Sequence, residues 1–130
     1  MDRSEDWLKQ ARSNLDAANH LMKAEDFSWS CFLAQQTAEK AIKAIGEHEK
    51  IVLWGHDLVD LLDELKKKID VPKEILNKCK ILNLYYISTR YPDAFTSGAP
   101  SEKFSEEQAQ GAITAAGEIL KYVEKEILRD

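Results

Sequence analysis

Arg90, in the run Ser88-Thr89-Arg90-Tyr91-Pro92-Asp93, closes a long helical stretch with a guanidinium, three aromatic rings and a carboxylate within nine positions. Tyr85 and Tyr86 lie one turn earlier. Pro92 drives Tyr91 out of the α region, so the arginine sits where the helix must stop. A planar cationic fork beside aromatic faces suits contacts to phosphates and stacked bases. The same arginine could instead cap the last carbonyls of its own helix or pair with Asp93. Residue types alone leave both open.

Other residues able to do chemistry are few. The chain has no Gly-rich phosphate loop, CxxC pair, HExxH pair or Glu-x-x-His pair of a di-iron bundle, so neither a metal nor a cofactor is expected. Of the histidines, His20 falls on the polar side of a helix and His48 lies between Glu47 and Glu49 in a predicted loop, both as solvated surface groups. His56 precedes Asp57 and Leu58 at a helix start, where it could hydrogen-bond a neighbouring helix or act as an acid or base. Gln35, Gln36, Glu39, Lys40 and Lys43 form one polar helix face, which is ordinarily just solvated. Glu39, Lys40 and Lys43 nevertheless place a carboxylate and two ammonium groups on a helix that otherwise reads as central, so their stems could be buried.

These residues must be positioned by helices. Trp7, Leu8, Ala11, Leu15, Ala18 and Met22 recur at steps of three and four, predicting a first helix from about Ser4 to Ala24. Asp26 can cap a second, with Phe27, Cys31, Ala34, Ala38, Ile42 and Ile45 on its apolar stripe and Gly46 as terminator. The small residues Ala34, Ala38 and Ala41 let another helix approach, and they motivate an expected homodimer. A third helix follows Leu58, Leu61, Leu62, Leu65 and Ile69, with Lys66, Lys67 and Lys68 in its last turn. A fourth starts near Pro72 and runs to about Thr89. Residues 91–104 form an irregular loop, and Ser105-Glu106-Glu107-Gln108 is a capping box for the last helix. Gly111 and Gly117 weaken that helix, which points to close helix contact there. The expected fold is all-α: an up-and-down four-helix bundle with one or two additional short helices, in one domain over 1–130.

Composition bounds the function. With 44% hydrophobic and 32% charged residues, the 130-residue chain can bury a proper core. A net charge of -5 repels nucleic acid at long range, so any RNA or nucleotide contact must be local. No apolar run is long enough to span a membrane, the N-terminus carries no signal-peptide pattern, and Cys31 and Cys79 are isolated on apolar stripes. A soluble cytoplasmic protein is expected.

With Ala38-Glu39-Lys40-Ala41-Ile42-Lys43 on the second helix, His56-Asp57-Leu58 opening the third, and Thr89-Arg90-Tyr91-Pro92-Asp93 after the fourth, the sequence resembles the HEPN family. The name denotes a nucleotide-binding domain of higher eukaryotes and prokaryotes, and the resemblance runs from about Ser4 to Ile127. It implies a helical bundle that dimerises with a cleft at the interface, and a frequent partner, a minimal nucleotidyltransferase, in toxin–antitoxin pairs. Many members are implied to be metal-independent ribonucleases in which an Arg is followed after a short spacing by a His. Here Arg90 is present, but Phe95, Thr96 and Ser97 stand where the His belongs, and no His follows His56. The reading preferred on these grounds is a dimer that binds nucleotide, RNA or a nucleotidyltransferase through Arg90, Tyr86, Tyr91 and Asp93, with Lys40 or Lys43 adding charge. The alternative is a divergent ribonuclease in which Arg90 is joined by His56, Tyr91 or Asp93.

Overall fold

The computed structural model describes residues 1–129, and these form an all-helical protein without strands. Helices α1 (Ser4–Lys23) and α2 (Phe27–His48) make a hairpin across a three-residue turn, and the last helix, α6 (Glu106–Leu128), packs against both. Two shorter helices, α3 (Leu58–Leu65) and α4 (Lys73–Asn83), pack on each other, and both contact α2. A one-turn helix, α5 (Tyr85–Ser88), follows, and 3-10 turns at Pro92–Ala94 and Pro100–Glu102 shape the connection to α6. The predicted fourth helix is therefore divided at Leu84. There the Leu84 N–H bonds Ile81 O, one residue closer than in an α-helix, and the Asn83 side chain turns aside to accept the Leu58 N–H.

The core is organised around α2. Ala34, Ala38 and Ala41 have no exposed surface, so the small-residue stripe is used up inside the protomer and offers no face to a second copy. α3 buries Leu58, Leu61, Leu62 and Leu65, each worth about 1.5–3 kcal/mol of transfer from water. α3 stops at Leu65, with Lys66–Lys68 in the turn beyond it. The Ser105 capping box opens α6 as predicted. The two glycines of α6 do not mark tight packing: a Cβ at Gly111 would meet nothing within 4 Å, and one at Gly117 would only touch Leu15 at 4.0 Å.

Gly46 does not end α2, which continues to His48. The terminator is Lys50, at φ 60. Ile51 N–H bonds Gly46 O at 2.8 Å and Lys50 N–H bonds Glu47 O at 3.2 Å, the paired bonds of a Schellman turn built on a lysine. Glu25, at φ 64, ends α1 the same way. Gly46 serves close approach instead: a Cβ there would lie 2.6 Å from Leu53 Cδ1 and 3.2 Å from Ile51 O. Gly46→Ala is thus expected to lower unfolding free energy by about 1–2 kcal/mol, read as a lower urea midpoint. An unchanged midpoint would mean that Leu53 moves aside freely.

Candidate functional site

The end of α5 is closed by three consecutive side chains. Ser88 Oγ, Thr89 Oγ1 and the Arg90 guanidinium donate to the carbonyls of Leu84, Tyr85 and Tyr86 respectively. Tyr91 then turns extended, at φ -120 and ψ 122, as the following proline requires. Arg90 uses Nε at 2.9 Å and Nη2 at 2.6 Å on the single Tyr86 oxygen. Its flat face is held by rings: the guanidinium carbon lies 4.3 Å from the Phe32 centroid, 4.6 Å from Tyr86 and 5.1 Å from Tyr91. Such contacts are worth about 0.5–2 kcal/mol each, more as water is excluded.

Arg90 does cap its own helix, yet it is not neutralised. The sequence has four arginines, and Arg3, Arg12 and Arg129 each pair with a carboxylate at 3.1 Å or less. Among the described residues no carboxylate pairs with Arg90, and Asp93 is exposed without engaging it. Two of its five N–H groups are spent on a carbonyl. Among the described residues, no hydrogen bond engages its other three N–H groups.

His56 joins this group through Tyr86, on which its ring stacks at 4.7 Å and 16°. Its backbone is fixed from two sides. Gln35 Nε2 donates to His56 O at 3.1 Å, and Asp57 caps α3 while accepting from Asn83 Nδ2 at the end of α4. His56 Nδ1 meets Glu39 Oε1 at 2.9 Å, so with Nδ1 protonated the half-exposed ring keeps Nε2 clear of that bond. Glu39, 2% exposed, is the buried centre of a network: Lys43 Nζ lies 3.1 Å and Lys40 Nζ 3.9 Å from its Oε2, and Lys40 also donates to Gln36 Oε1 at 2.7 Å. Burial pushes the Glu39 carboxyl upward, but the His56 hydrogen bond and the charges of Lys43 and Lys40 outweigh it, and the carboxyl ends below its ordinary value. Burial likewise draws the Lys40 ammonium down, against the pull of Glu39.

Arg90, Tyr86 and Tyr91 are therefore brought together as the sequence suggests, with His56 beside them. Lys40 and Lys43 are spent on Glu39. Sequence reasoning puts Gln35 on the polar face of α2 but gives neither its bond to His56 nor the place of Phe32 as the nearest ring to Arg90, although Trp29, Phe32, Gln36, Glu39 and Lys43 fall at alternating steps of three and four and so share one face of α2. His48 is the last residue of α2, not a loop residue, with Nδ1 3.9 Å from Asp2 Oδ2. Phe95, where a motif histidine was sought, packs edge-on to Phe104 at 6.1 Å and beneath Lys103 at 5.7 Å, which ties down the loop.

The bundle is all-helical, and a ring-stacked arginine that pairs with no carboxylate among the described residues closes its short α5. The chain belongs to the HEPN family, whose domain profile matches residues 4–127. Its structure is similar to that of TT1696 from Thermus thermophilus, at 42% identity and a TM-score of 0.93 over 96% of this chain and 98% of that one. It also resembles ST0689, an archaeal HEPN homologue, at 36% identity and a TM-score of 0.84 over 98% and 99% of the two chains. A curated relative, "Putative toxin MJ1304" of Methanocaldococcus jannaschii, is 25% identical across 95% of this chain and 87% of its own length. Among the described residues no helix is long and apolar enough to cross a membrane.

Proposed function

We propose that this HEPN protein is a homodimer that binds the phosphate of a nucleotide or single-stranded RNA at Arg90 and works with a minimal nucleotidyltransferase in a toxin–antitoxin pair. The observation that carries the reading is the unneutralised guanidinium, prepositioned by Tyr86 O and three rings on an acidic protein. The name of the Methanocaldococcus relative supports the toxin setting. Dimerisation is supported by Ile81, Leu84 and Ile87, which recur every three residues through α4 and α5 and stand 51%, 71% and 52% exposed, with Tyr91 beyond them. That is an apolar strip beside Arg90, on a different face from the buried alanines.

Light scattering at micromolar concentration should give twice the 14.8 kDa protomer mass, and Leu84→Glu should return it to the protomer value with helical content intact. A monomeric wild type contradicts the dimer. The Glu39–His56 hydrogen bond supports a second reading, a metal-independent ribonuclease in which His56 moves the proton that the absent motif histidine would move. Robust cleavage of single-stranded RNA in the presence of a chelator, lost in both Arg90→Ala and His56→Ala, would select it. The binding reading expects little or no cleavage.

A further inference from the structure

A cavity of about 480 Å³ opens between the start of α1, the end of α2 and the segment that follows α2. It does not involve Arg90 or Tyr86. Trp7 and Trp54 line it, together with Ile51 and Leu53, and Trp54 is 84% exposed, an unusual place to leave an indole. Its walls are already fixed. Ile51 N–H is bonded to Gly46 O, Leu53 is seated on Gly46, and Lys68 Nζ donates to Glu49 O at 2.9 Å. The volume lies within the usual range for small-molecule pockets, about 300–1,000 Å³.

The lining also states what kind of molecule fits. Lys43, Lys50 and His48 stand with Asp2 and Glu47 beside Met1, so charges of both signs and both donors and acceptors are present. Lys43 Nζ lies 5.8 Å from the Trp7 ring while bound to Glu39, and its charge is therefore answered from below. Nothing here demands an anion.

We infer that this cavity is a second binding site, which takes a flat, uncharged aromatic heterocycle of nucleobase or nucleoside size against Trp7 and Trp54, its rim hydrogen-bonded by Lys50 and Glu47. The indole faces supply stacking, and the mixed lysine and carboxylate rim matches a ring whose edge carries both donors and acceptors. This site is independent of the phosphate reading of Arg90.

The test uses the full chain and adenosine, which has no phosphate for Arg90 to hold. The three tryptophans give three indole N–H signals by NMR, assigned with single Trp→Phe variants. Adenosine should shift the Trp7 and Trp54 signals saturably at millimolar concentration or below, and leave that of Trp29, which sits 5.9 Å from Phe32 near Arg90, in place. Trp54→Ala, at an exposed position that the fold does not need, should weaken binding about tenfold or more. Arg90→Ala should bind adenosine as the wild type does. Absence of saturable shifts at Trp7 and Trp54, a shift confined to Trp29, or undiminished binding by Trp54→Ala would each overturn the inference.

Discussion

Arg90→Ala should weaken binding of a short single-stranded RNA by about 10- to 100-fold at low salt, the loss of one charge-assisted, two-pronged contact worth about 1.5–3 kcal/mol. Arg90→Lys keeps the charge but cannot hold Tyr86 O and an anion in one plane, so it should fall between the two. The difference between wild type and Arg90→Ala should shrink as salt rises, because salt screens the guanidinium charge, and it should not vanish, because the fork is half-buried. Neither variant should unfold the protein. Each leaves Tyr86 O without its side-chain donors at a partly exposed helix end, a cost of about 1 kcal/mol, which a urea midpoint reports separately from binding.

Glu39→Ala is expected to be the most destabilising substitution in the site, by about 3 kcal/mol. Removing a buried carboxylate strands Lys43, Lys40 and His56 together, and the loss stays at the low end for broken buried pairs because those partners reach solvent. Glu39→Gln keeps the shape and an acceptor for His56, so it should cost less and isolates the charge. The folded carboxyl lies below its ordinary value of 4.5, which makes the stability from Glu39 fully present above that pH and progressively lost as pH falls through the folded value. The gap between wild type and Glu39→Gln in urea midpoint should accordingly be widest near neutral pH and narrow below about pH 4.5. A gap independent of pH would mean that packing, not charge, holds this network.

Local rules made much of the fold legible. Steps of three and four placed α1, α2 and α6 within a residue or two of their true ends, apart from the α2 terminus, and Ser105 announced the start of α6. Gly46 misled because a glycine near a helix end is usually the left-handed terminator, and here that conformation is adopted by Lys50 while Gly46 makes room for Leu53. The break at Leu84 was hidden for a similar reason: it depends on Asn83 reaching across to α3, a contact between elements that periodicity cannot register. Arg90, Tyr86 and Tyr91 could be picked out because Pro92 marks the helix end and the rings are adjacent in sequence. The contact of Phe32 with Arg90 and the bonds from Gln35 and Glu39 to His56 could not, since they join elements far apart in the chain. The same holds for the cavity, which Trp7 and Trp54 come to line only after α1 and α2 have folded back on each other.

The side-chain Nε–H signals of the four arginines offer the most direct test of whether Arg90 is an anion site. Three of the guanidinium groups are already paired with carboxylates, and Arg90 is the exception among the described residues. Titration with adenosine monophosphate or a short single-stranded RNA, followed by NMR at two salt concentrations, should move the Arg90 signal saturably, less so at high salt, and leave those of Arg3, Arg12 and Arg129 nearly still. An unmoved Arg90 signal, or shifts spread evenly over all four, would contradict the account and reduce Arg90 to the cap of its own helix.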